Sequence, residues 1–198
     1  MSVWYEIIVT GSEDALRGLV AGCEAALGGR EAVVFGHDLD LEASPISQRL
    51  RHLVAARSRH VVCAPAKLAG EIAGALRARG EAAGLDLNSI REVVRTRLPF
   101  SAEAFSRDVA EKIRQNLLAG LPPGIEGEHI EESEERDPAA RGAELYTPEH
   151  AYVFRLAGTF VGPLPGIVEM RRRACDLPFV KVKAVELETR PVETPEGA

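Results

Sequence analysis

The sequence predicts an α+β protein made of two ferredoxin-like units, each a split βαβ with its helices on one face of a mainly antiparallel sheet. Three observations predict it. Apolar and polar residues alternate along most β segments, as a sheet with one covered face requires. Segments with helical spacing separate them, so the first half reads β-α-β-(α)-β-α-β. The second half reads β-α-β-β-α-β if the long strand near Val94 is shared and the acidic stretch after Gly124 forms a strand. The alternative is a three-layer, flavodoxin-like α/β fold. It rests on an extra helix near Leu50, which makes the β-α alternation strict through Leu117. The expected division is a first unit over 1–99 and a second over 100–190. Within the second, an acidic arm over 122–149 is extended or disordered, and 191–198 is a loose tail.

The elements follow in order. In "VWYEIIVT", Val3, Tyr5, Ile7 and Val9 share one face and Trp4, Glu6 and Ile8 the other. Ser12 caps a helix whose stripe is Leu16, Leu19, Val20, Cys23 and Leu27, and Gly28 and Gly29 end it. A strand over 31–41 follows, then a helix opened by Ser44 and Pro45. "HVVCAP" is a short apolar strand, and the next helix runs from Ala66 to Arg79. "SIREVVRTRLPF" is a long strand that Pro99 is expected to break. Ser101 is expected to cap the following helix, with Phe100 and Phe105 as a hydrophobic staple. Phe105, Val109, Ile113 and Leu117 line that helix. Ala151 to Val161 is a strand, and Pro165 opens a helix carrying Ile167, Met170 and Ala174. In "FVKVKAVELET" the apolar parity slips near Ala184, which predicts a bulge.

Of the 198 residues, 45% are apolar, enough for a sizeable core. No apolar run approaches the ~20 residues that span a bilayer. "MSVWYEIIVTG" lacks the basic and apolar regions of a secretory signal, and the three cysteines, Cys23, Cys63 and Cys175, form no metal or disulfide pattern. A cytoplasmic protein without a membrane partner is expected. The net charge of −6 belongs to one segment, Glu126 to Asp137, which holds seven acidic residues and one arginine. The rest of the chain is neutral, so a nucleic-acid partner is not expected. Arginine outnumbers lysine twenty to four, so no single arginine stands out as a ligand by type alone.

Four stretches could carry chemistry. In "GTFVGPLPGIVEMRRR", Pro163 and Pro165 each remove an N–H donor and no lysine or hydroxyl follows the glycines. A tight strand-to-helix corner is therefore expected rather than a phosphate cradle. In "HDLDLE", Asp38 and Asp40 project to one side, two strand residues apart. With His37 beside them they are the catalytic and metal-ligating candidates, and Mg²⁺ is the cofactor they would take. The pair resembles the Asp-x-Asp of phosphoaspartate-forming hydrolases, although Leu41 stands where that pattern has Thr or Val. Arg91, Arg95 and Arg97 form a basic stripe that could hold a small anionic ligand or pair with Glu6 and the acidic arm. Finally Trp4, Ile8, Val34, Val93 and Val153 are expected on an open sheet face, which would serve as a partner surface or ligand groove, be covered by the chain's other sheet, or join a second copy in a dimer.

The expected function is non-catalytic: a binding or self-associating module, a homo-oligomer, with no cofactor. The alternative is a small metal-assisted hydrolase using Asp38 and Asp40.

Overall fold

The computed structural model describes residues 3–29, 33–36, 58–136 and 152–192. It is an α+β structure in which every described strand pair is antiparallel, which excludes the flavodoxin-like alternative. The chain divides into two compact units. One comprises the chain up to Val94 together with that from Leu187, and the other Arg95–Glu186.

The first unit contains β1 (Trp4–Gly11), α1 (Glu13–Ala26), β2 (Val34–Phe35), β3 (Ser58–Pro65), α2 (Ala66–Arg79) and the first half of β4 (Asp86–Ala104). Its sheet runs β2-β3-β1-β4, the ferredoxin-like order, and β8 (Glu186–Pro191) pairs with β4 as well. Alternation along β1 sends Ile7 and Val9 into a core with Leu16 and Val20 of α1 and Leu68 and Ile72 of α2. Between Ile8 and Val9 the pairing with β4 shifts by one residue at Asn88, whose side-chain oxygen accepts from Thr10 Oγ1 at 2.9 Å. This bulge lets both Leu87 and Ile90 pack against the same core. The expected open face is not bare: Trp4, Ile8, Val34 and Val153 are all buried, and Val93 is half-buried. Covering side chains of that size is what the cost of wetting apolar surface favours.

The second unit contains the rest of β4, α3 (Arg107–Leu118), β5 (Glu126–Arg136), β6 (Tyr152–Gly162), α4 (Leu164–Cys175) and β7 (Val180–Val182). β7 flanks β4, which pairs with β6, which pairs with β5, so the order is again ferredoxin-like. Leu98, Phe100 and Phe160 of the sheet and Ile113, Leu117, Ile167 and Met170 of the helices are buried in it, and the Phe100 and Phe160 rings stack with centroids 4.5 Å apart. The acidic segment is extended as β5. Near Gly158 the β5–β6 register shifts between Glu128 and Glu131. Ile130 lies so close over Gly158 that a Cβ there would clash with Ile130 Cδ1.

Three local expectations are corrected. β4 does not break at Pro99 but continues to Ala104. The N–H and C=O of a strand residue point the same way, and the Pro99 carbonyl accepts from Lys183, just beyond the last residue of β7. The missing donor therefore removes no bond to β6. The cap of α3 is Ser106, whose hydroxyl accepts from the Val109 N–H, and Phe105 is 48% exposed, so neither Ser101 nor the staple opens this helix. The parity slip near Ala184 is a break between β7 and β8 (Glu186–Pro191), not a bulge.

Candidate functional site

The second unit contains a groove of about 360 Å³ between α3 and the sheet. Strand alternation builds its floor. Ala102, Leu156 and Glu132 lie level on one row across β4, β6 and β5, and Ala104, Phe154 and Glu134 on the next. The small alanines on β4 leave the space. α3 turns Ile113 and Leu117 into the core and carries Arg107 and Arg114, seven residues apart, along its flank.

Ion pairs tie that flank to β5. Arg114 Nε donates to Glu132 Oε1 at 3.0 Å, and its guanidinium also lies 3.6 Å from Glu111. Arg107 is held loosely, with Nη2 donating to Glu134 at 3.4 Å, and its guanidinium sits 6.0 Å from the centre of the Phe154 ring. On the sheet's other face Arg155 of β6 is clamped between Glu103 and Glu135, and the hydrogen bond to Glu103, then that to Glu135, holds its proton more firmly than usual. The lining has no thiol, imidazole or amine. The groove can seat a small molecule with an apolar body and exchange ion pairs at its rim, but it offers no nucleophile-base pair.

The residues predicted from sequence fall elsewhere. His37, Asp38 and Asp40 lie outside the described residues. Among the described residues no group of three or more His, Cys, Asp or Glu could hold a metal ion. Arg91 is exposed on β4 of the first unit, opposite Glu6. Burial pushes the Glu6 carboxyl above the ordinary range, and the charges of Arg91 and Arg59 only partly offset this. In the second unit Arg95 is ion-paired with Glu128, while the Nε of Arg97 is buried with no hydrogen-bond partner. None of the three lines the groove. Cys63 is fully buried, and burial, with the Glu6 charge behind it, pushes its thiol far up, so it is no nucleophile. His60 Nε2 donates to the Gly11 carbonyl at 2.9 Å.

Sequence reading missed Arg107, Arg114, Phe154, Glu132 and Glu134. Two signals were present: arginines two helical turns apart, and glutamates alternating at 132 and 134 in the acidic segment.

No family model and no curated protein matches the chain. Two solved structures align with nearly all of it. One is an unknown protein from Galdieria sulphuraria, 14% identical, covering 96% of this chain and 99% of its own, with a TM-score of 0.31. The other is provisionally described as a glycine cleavage system transcriptional repressor, 10% identical over the same shares, with a TM-score of 0.29. Similarity this low carries no argument about what the chain does. No helix among the described residues is long and apolar enough to cross a membrane.

Proposed function

We propose that this protein is a non-catalytic binding module whose second unit holds a small anionic ligand with an apolar body in the groove under α3. One observation carries the reading: a 360 Å³ space floored by alanine, leucine and phenylalanine, with a rim of ion-paired arginines and no reactive group. That size and composition suit a small-molecule site. Arg107 is the cation that receives the anion. Its bond to Glu134 is long and its side chain is 78% exposed, so exchanging partners costs little. Phe154 and the alanine floor receive the apolar body. The glutamates at the rim repel multiply charged anions and restrict the ligand to a single negative charge.

The test is thermal melting of the full chain against a panel of small aromatic and aliphatic monocarboxylates, with inorganic phosphate as the polyanionic control. A binding carboxylate at a hundred times its dissociation constant stabilises the fold by about 2.7 kcal/mol. Ala110→Leu fills the groove from the half-exposed side of α3. It should abolish the rise while the variant still melts cooperatively, and Arg107→Ala should reduce it. If no carboxylate raises the melting temperature, or if the filled variant responds like the parent, the proposal fails.

A further inference from the structure

The second unit's sheet has another face, opposite its helices, and over two of its rows the charge is divided laterally. Arg97, Val161 and Glu126 lie level on one row across β4, β6 and β5. Lys181, Ser101, Ala157 and Glu131 lie level on another, across β7, β4, β6 and β5. In these two rows cations stand on the β7–β4 side and carboxylates on the β5 side. Between them β6 presents Val161, Thr159 and Ala157, all half-buried, and the row beyond them holds Glu103, Arg155 and Ser133, where Arg155 is already paired with Glu103 and Glu135 of its own copy. Arg95 finds Glu128 within the chain. Among the described residues Arg97, Lys181, Glu126 and Glu131 have no ion-pair partner, and the Nε of Arg97 is desolvated without an acceptor. A buried guanidinium N–H left unpaired is costly, so a carboxylate brought to it from outside relieves a real penalty.

We propose that this face joins two copies of the chain in a homodimer, with the two-fold axis running along β6. Rotation about an axis parallel to the strands lays the β4 side of one copy over the β5 side of the other and keeps each row level with itself. Arg97 then faces Glu126 of the second copy, and symmetry repeats the pair. In the other row Ser101 faces Glu131 of the second copy, and Lys181, one strand spacing of about 4.8 Å farther out, reaches across to the same carboxylate. β6 meets β6, where valine, threonine and alanine let the sheets approach to about 10 Å, a gap that arginine and glutamate together span. A two-fold axis across the strands would instead stack glutamate on glutamate and cation on cation, so the charge pattern selects one arrangement and opposes the other.

This surface is separate from the groove, and its test is chosen to fail separately. Sedimentation equilibrium of the full chain should show a monomer–dimer equilibrium. Arg97→Glu and Glu126→Arg, each checked for folding by circular dichroism, should each weaken the dimer by about tenfold or more. An equimolar mixture of the two variants should recover it, because each supplies the charge the other lacks. The double variant should also dimerise, and Ala110→Leu should leave association unchanged. A parent that stays monomeric at all concentrations would overturn the proposal and leave the face to a different partner. So would a dimer indifferent to the reversals, or a mixture that does not associate.

Discussion

Glu6 shows how one residue's setting becomes a property of stability. It lies on β1 between Cys63 on β3 and Arg91 on β4. Burial raises its pKa above the ordinary carboxylate value, with Arg91 and Arg59 pulling the other way. A group with a raised folded pKa binds its proton more tightly in the fold. Its contribution is complete below the unfolded pKa and is lost as pH rises through the folded one. Glu6→Gln should therefore flatten the fall in melting temperature on going upward from about pH 4, where an ordinary carboxylate begins to ionise. An unchanged slope would show that burial does not govern this group. Its neighbour Arg91 was legible as a partner for Glu6, because cross-strand pairing follows from parity. Arg107 was not legible: nothing in its local sequence says that Phe154, 47 positions away, will lie beneath it.

At the level of elements, the sequence was most readable where a stripe or a cap acts alone and least where a neighbour decides. α2 begins at Ala66 and ends at Arg79, where its apolar spacing and Gly80 put it. Pro99 misled because the cost of a proline depends on which strand its missing N–H faces, and that depends on where β7 stops. With the strand prolonged, the cap moved from Ser101 to Ser106. Ser106→Ala should lose roughly 1 kcal/mol of unfolding free energy in urea denaturation, and Ser101→Ala should stay within about 0.5 kcal/mol. The reverse order would return the cap to Ser101. The slip near Ala184 was visible as a fault in alternation. A bulge and a break leave the same trace in one strand, and only the pairing partners tell them apart.

Over the whole molecule, the doubled β-α-β-β-α-β order was readable because parity survives in nearly every strand, and β4, 19 residues long, supplies a strand to each unit. What stayed hidden is what alternation cannot encode: which small residues leave a void, and which charges remain unspent once neighbours are paired. Within each unit the inner strands have partners on both sides and the outer ones do not. Hydrogen exchange should accordingly be slowest in β1 and the first half of β4 in the first unit and in β6 and the second half of β4 in the second, with β5 exchanging sooner. Equal protection of β5 and β6 would show a further partner along β5. Among the described residues no strand lies beyond β5, whose main-chain groups on that side are kept from other chains by a fence of glutamates. That fence is electrical and so conditional: acid strong enough to discharge it turns the same ribbon into a template on which molecule after molecule could lengthen a fibril.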